Sequence, residues 1–132
     1  MNEKDLIIQL AKAWNNQDTS FIANLLHDGF KYTSQWVFEE MVGKEKYLQH
    51  MDAKFQRIRD GIAQNGDRIE AAIGCCTQME PDKPCIVLAH TIGGETNKVT
   101  LLIKAENSFI KQIDVCGIPE PESARLTGEV PR

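Results

Sequence analysis

The change of hydrophobic period near residue 67 constrains this chain more than any other feature. Before it, outside one alternating stretch at residues 30–40, apolar residues recur at intervals of three and four; after it, they alternate in short runs divided by turn residues. The first pattern belongs to amphipathic helices and the second to half-buried strands. Leu6, Ile7, Leu10, Ala13 and Trp14 share one face of a helix predicted from Asn2 to Trp14. Asp18 or Thr19 can cap a second, short helix with Phe21, Ile22, Leu25 and Leu26 inward, which His27-Asp28-Gly29 ends. Gly43 opens a third and longer helix, with Tyr47, Leu48, Met51, Phe55 and Ile58 on one face and Gly61 as its stop. Beyond Asn65-Gly66-Asp67, RIEAAIGCC, CIVLAHTI, KVTLLIKA and FIKQIDVCGI read as strands, joined by loops at EPDKP, GGETN and ENS. Helices first and consecutive antiparallel strands later predict an α+β fold.

At 132 residues the chain fits one domain. Residues 1–118 are expected to form it. The segment PEPESARLTGEVPR, residues 119–132, has three prolines and no periodicity and is expected to be a mobile tail. A net charge of −4 argues against nucleic acid and against an anionic membrane surface as partners. The N-terminus carries acids among helically spaced apolar residues, unlike a secretory leader, and no apolar run is long enough to span a bilayer. The cytoplasm is the expected location. Cys75, Cys76, Cys85 and Cys116 lack CxxC spacing, so reduced, buried thiols are expected and no metal site. The chain has no GxSxG, phosphate loop, GxGxxG or HExxH, and no cofactor is expected.

FKYTSQWVFEE, Phe30 to Glu40, alternates strictly. Phe30, Tyr32, Ser34, Trp36 and Phe38 form one set, and Lys31, Thr33, Gln35, Val37 and Glu39 the other. The first set is aromatic, interrupted by a serine, and two of its members carry polar tips. Residues of this kind both fill cores and wall cavities, so both readings stay open.

Three stretches carry a resemblance. The first helix ends in AW before DTSFIANLL; YTSQWVFEEMVGKEKYLQHM leads an aromatic strand into a helix; and TLLIKAENSFIKQIDVCG closes as a hairpin. In this order they resemble the nuclear-transport-factor-2-like superfamily, also called SnoaL-like or cystatin-like cones, over about residues 3 to 118. The resemblance implies a curved, mixed-to-antiparallel sheet wrapped around a long helix, with three helices in the N-terminal half. A pocket at the open end of the cone is implied too, with Trp14, Tyr32, Ser34, Trp36, Phe38, Tyr47, Met51, Phe55 and Leu101 as candidate lining. Members of the superfamily include isomerases, dehydratases, polyketide cyclases and many non-enzymatic binding or dimerisation modules, so the fold alone licenses no activity.

Register arithmetic selects two ionisable groups. An even-length GGETN turn, with Gly94-Glu95 or Glu95-Thr96 at its tip, sets His90 opposite Val99 or Leu101. A two-residue tip at Asn107-Ser108 sets Asp114 opposite Leu101; a tip one residue earlier sets it opposite Val99. Either way Asp114 and His90 flank the central aliphatic strand on the buried face, about 10 Å apart. An odd-length turn would move every side chain across. A carboxylate in an apolar pocket and a histidine suit proton transfer, with Tyr32, Ser34 or Trp36 donating to a developing oxyanion. The plain alternatives are a histidine bonded to backbone and an aspartate on the outer face pairing with a lysine. His50, on the flank of the third helix, can face the cone mouth or solvent, and His27 is expected to offset a helix dipole.

Three functions follow as expectations. One is a domain that binds a small, mostly apolar molecule in an unknown physiological role. Another is a cofactor-free acid–base enzyme of isomerase, dehydratase or cyclase type using Asp114 and His90. The third is a homodimeric interaction module pairing through Ala72, Val87, Ala89 and Leu102 of the outer sheet face.

Overall fold

The computed structural model describes residues 1–79 and 81–132, with the side chains of Val37, Phe38 and Glu39 not described. Phe38, expected on the pocket wall, thus lies outside the described residues. The elements run α1 (Glu3–Asn16), a 3₁₀ turn (Thr19–Phe21), β1 (Leu26–Ser34), β2 (Val37–Val42) and α2 (Lys44–Asn65). Then come β3 (Arg68–Cys76), β4 (Lys83–Ile92), β5 (Glu95–Glu106), β6 (Phe109–Cys116), a second 3₁₀ turn (Pro121–Ser123) and β7 (Arg125–Leu126). Among the described residues this is an α+β fold with two α-helices against one curved seven-stranded sheet.

Both helices bury the faces their period marks. Asn2 caps α1: its side chain accepts from the Asp5 amide at 2.8 Å, and the Asp5 carboxylate accepts from the Asn2 amide at 3.1 Å. Leu6, Ile7, Leu10 and Trp14 are buried below it. In α2, Tyr47, Met51, Phe55 and Ile58 are buried. That helix passes through Gly61, the expected stop, and ends where Gly66 takes a left-handed φ of 70° and returns its amide to Gly61 and Ile62. Gly61 is tolerated inside because the Asp67 carboxylate occupies the space a Cβ would need.

The expected third helix does not form. DTSFIANLL makes a single 3₁₀ turn, capped by Asp18 through a 2.9 Å bond from the Ser20 amide. A helix of nine residues is marginal by itself. Here the chain has a competing partner, since the Leu25 carbonyl already accepts from the Ile110 amide at 2.7 Å. His27, Asp28 and Gly29 are consequently strand residues, and His27 accepts from the Gly29 amide at 2.9 Å instead of facing a helix dipole.

The strand order is β2-β1-β6-β5-β4-β3-β7. Every pairing is antiparallel except β1 with β6. One core cluster fills the concave side, drawing Phe30 from β1, Ile69, Ala71 and Ile73 from β3, Ile86 and Leu88 from β4, Leu101 and Ile103 from β5, and Ile113 from β6.

Two hairpins fix the register. β4 and β5 turn at Gly93-Gly94, both at positive φ, so Ile92 faces Glu95 and His90 faces Asn97 instead of Val99 or Leu101. The turn is even, so His90 stays on the concave side. β5 and β6 turn at Asn107-Ser108, as the sequence reading has it, and Glu106 faces Phe109. A bulge then intervenes: Ala105 pairs with Ile110 and Lys104 with Gln112, leaving Lys111 without an opposite. Everything after it changes face. Asp114 lies opposite Leu102 and Thr33, on the convex side.

Residues 119–132, expected to be mobile, are docked along the β3 edge. β7 pairs with Gly74 and Cys75, the Ile73 amide donates to Glu129 at 2.9 Å, and the Thr127 amide donates to Ile73 at 3.0 Å. Farther along the same edge the Asn15 side chain stands in for a strand. Its Nδ2 donates to the Ala71 carbonyl at 3.0 Å and to Pro131 at 2.6 Å, and its Oδ1 accepts from the Ala71 amide at 2.7 Å. On the convex face Cys76, Cys85, Leu102 and Cys116 form a second cluster with Met79 and Ala124. Of Ala72, Val87, Ala89 and Leu102, expected to pair with a second copy, Ala72, Val87 and Leu102 are buried within the single chain and Ala89 is partly exposed.

Candidate functional site

Between α2 and the concave sheet face lies a cavity of about 450 Å³. Trp14, Ile69, Leu88, Val99, Leu101 and Val115 supply apolar wall, and Tyr32, Ser34, Trp36, Met41, His50, Lys54, His90 and Asn97 complete it. The expected residues Trp14, Tyr32, Ser34, Trp36 and Leu101 are thus brought together.

Tyr47, Met51 and Phe55, also expected to line a pocket, are only 1 % exposed and lie behind it. The rings of Tyr47 and Phe55 are used in packing. Phe55 meets Trp14 edge-on at 5.1 Å, and Tyr47 stacks between Phe30 at 4.8 Å and Tyr32 at 5.3 Å. The aromatic alternation of β1 therefore serves both purposes: Phe30 is core, while Tyr32 and Ser34 are wall.

Trp36 is 58 % exposed, because the chain turns at Gln35-Trp36 before re-entering the sheet as β2. It forms the rim. Gln35 anchors this turn to the exit of β6: its Oε1 accepts from the Gly117 and Ile118 amides at 2.7 and 2.9 Å, and its Nε2 donates to the Ile118 carbonyl at 2.7 Å. A Cβ on Gly117 would come within 3.1 Å of the Trp36 ring, so glycine there lets the indole lie close.

The polar groups converge from two sides. His50 and Lys54 are one turn apart on α2, and His90 reaches in from β4. Burial pulls the His50 pKa below its ordinary value, and the charges of Lys54 and Arg57 add to this. Burial also lowers His90; Asp67 opposes that and Lys54 reinforces it. Lys54 is lowered by burial and then by Arg57. Tyr32 is raised by burial. At neutral pH the site therefore holds neutral imidazoles, a neutral phenol and one ammonium. Asp67, 9 % exposed, has an Oδ1 without a hydrogen-bond partner among the described residues.

Asp114 takes no part in this site. Its carboxylate accepts from Thr33 and, at 2.6 Å, from Gln112. The expected His90–Asp114 pair does not exist, because the Lys111 bulge puts the two on opposite faces of the sheet. Lys54 was missed by the sequence reading. Its signal is that His50 and Lys54 each precede a buried residue, Met51 and Phe55, by one position and so flank the buried stripe.

No family model and no curated protein matches the chain. Solved structures do. One is a cystatin-fold protein of Novosphingobium aromaticivorans that is uncharacterised, at 15% identity and a TM-score of 0.66, covering 88% of this chain and 98% of that one. Another is an NTF2-like protein of unknown function from Cytophaga hutchinsonii, at 16% identity and a TM-score of 0.61, covering 88% and 89%. The fold is nuclear-transport-factor-2-like. An epoxide hydrolase of M. tuberculosis described as LEH-like also shares it, at 14% identity and a TM-score of 0.54, covering 84% of this chain and 80% of that one. Identities this low carry the NTF2-like fold and no activity. No helix among the described residues is long and apolar enough to cross a membrane.

Proposed function

We propose that this NTF2-like domain binds one small, mostly apolar molecule between α2 and the concave sheet face. The observation that carries the reading is the cavity of about 450 Å³, walled by Trp14, Leu88, Val99, Leu101 and Val115 with few polar tips. Small-molecule sites run from about 300 to 1,000 Å³ and have this composition. The core behind it is complete without a ligand, since Tyr47, Met51 and Phe55 pack against other rings and side chains of the chain itself. The test is a thermal-shift series with hydrophobic compounds of graded size, repeated on Val99→Trp, which puts an indole in the cavity. Saturable stabilisation of the wild type that is absent from folded Val99→Trp supports the reading. Equal shifts in both proteins, or none in the wild type, end it.

A second reading is proton transfer in the same cavity, favoured by the neutral state of His50 and His90. The M. tuberculosis neighbour, described as an epoxide hydrolase, gives it context. It requires turnover that His90→Gln abolishes while ligand binding persists.

A further inference from the structure

We infer that the cavity's occupant carries one carboxylate, seated against Lys54 between His50 and His90, with its apolar body toward Trp14, Leu101 and Val115. This rests on the binding reading above and narrows it to a class of ligand.

Lys54 is the starting point. It is half-buried, lines the cavity, and has neither an ion pair nor a hydrogen bond among the described residues. Its Nζ lies over the Trp14 ring, 5.6 Å from the centroid. Lys4, Lys31, Lys44, Lys83 and Lys111 have carboxylate partners, and of the remaining lysines only Lys54 lines this cavity. Asp52, the acid closest to it in sequence on α2, lies on another face of the helix and accepts from the Thr19 hydroxyl at 2.7 Å. A partly desolvated ammonium with only a ring face to meet it is under-compensated, and burial lowers its pKa accordingly.

The groups around it share that sign. His50 precedes Lys54 by four residues on α2, and His90 faces it from β4. The Lys54 charge disfavours protonation of both imidazoles, and Arg57 adds to this at His50. The opposing charge at His90 comes from Asp67, which does not line this cavity. Among the described residues, no carboxylate lines it. A cationic ligand would meet Lys54 unfavourably, and a neutral one would leave it unpaired. A monoanion gives Lys54 a counter-ion and converts the repulsion felt by His50 and His90 into attraction, so each can accept a proton as the ligand enters. The rest of the lining is apolar apart from the uncharged tips of Tyr32, Ser34, Trp36 and Asn97, so it offers no second counter-charge and the ligand carries one such group.

Isothermal titration of the full chain with 2-naphthoate and with decanoate, each against its primary amide, tests the inference. The acid of a pair should bind at least about tenfold more tightly than its amide. Near pH 7 the binding heat of the acid should differ between phosphate and Tris buffers, reporting proton uptake by the imidazoles. Lys54→Met should bring the acid-to-amide affinity ratio to about one and remove the buffer dependence of the binding heat, in a protein that still unfolds cooperatively. Amides binding as well as acids, or a preference that survives in Lys54→Met, would overturn the carboxylate assignment and leave the binding reading standing. Failure of both acids and both amides to bind would bring down the two together.

Discussion

Replacing Asn15 by alanine should destabilise the domain by about 3 kcal/mol, estimated from two lost bonds plus the burial of an unpaired donor. Asn15 is 7 % exposed and holds both polar groups of Ala71 on the β3 edge, the amide at 2.7 Å and the carbonyl at 3.0 Å. Each bond contributes roughly 1 kcal/mol net, and a buried N–H left without an acceptor costs roughly another 1–3. The third bond, to Pro131 at 2.6 Å, is part-buried, and water can replace it there. For a chain of this size the loss lowers Tm by roughly 10–15 °C. Urea unfolding followed by circular dichroism measures it, with the midpoint falling and the m-value unchanged. Exchange of the Ala71 amide hydrogen should accelerate selectively. Asn15→Asp is the companion variant. It keeps the acceptor for the Ala71 amide but sets a carboxylate oxygen against the Ala71 and Pro131 carbonyls, so it should be at least as damaging at neutral pH. A loss below about 1 kcal/mol in Asn15→Ala, with Ala71 still protected, would refute the view that this side chain completes the sheet edge.

Asp114→Asn should leave probe binding within about twofold of wild type, measured by calorimetry, while lowering stability by about 1 kcal/mol as its bonds to Thr33 and Gln112 lose charge assistance. Burial pushes the Cys85 and Cys116 thiols up to about 11, and only Cys75 among the four is not fully buried. Ellman's reagent should accordingly modify Cys75 first, and the other three only after unfolding. For His50 and His90 the folded pKa lies below the ordinary 6.5, so the unfolded chain takes up protons first as pH falls. Their contribution to stability is complete above about pH 6.5 and is lost as pH drops through the folded values. Urea midpoints compared near pH 7.5 and 5.5 should therefore fall in the wild type and fall less in the His50→Gln, His90→Gln double variant.

The helical faces were legible because burial and period coincide: Leu6, Leu10 and Trp14 in α1, and Tyr47, Met51 and Phe55 in α2, face the core as their spacing requires. The runs that became β3 to β6 were legible for the same reason at period two. What failed did so where the deciding partner is distant in sequence. DTSFIANLL reads as helix until Ile110 claims the Leu25 carbonyl. The C-terminal segment has no pattern because it docks through backbone groups, which leave no trace in side-chain alternation. A bulge at Lys111 is likewise silent, since lysine fits a paired strand position as well as an unpaired one. Within the site, Trp14, Tyr32, Ser34, Trp36 and Leu101 could be named from alternation and a fold resemblance, whereas spacing sets Lys54 beside the buried stripe just as it does Lys46 and Arg57, and only the rotation of α2 against the sheet singles it out.

The extra residue in β6 also bears on how this chain can diverge. Were Lys111 lost through a single-codon deletion, the bulge would close without moving either flank: Ile110 would stay opposite Ala105 and Gln112 opposite Lys104. Ile113 and Val115 would keep their interior places and Asp114 its convex one. Retaining Lys111 but pairing it with Lys104 is what would reverse the pleat, and Ile113 and Val115 would then turn out to water as Asp114 came in. Mutational drift should therefore tolerate a shortened β6 at this position, and should reach a cavity carboxylate by substitution on α2 or β4.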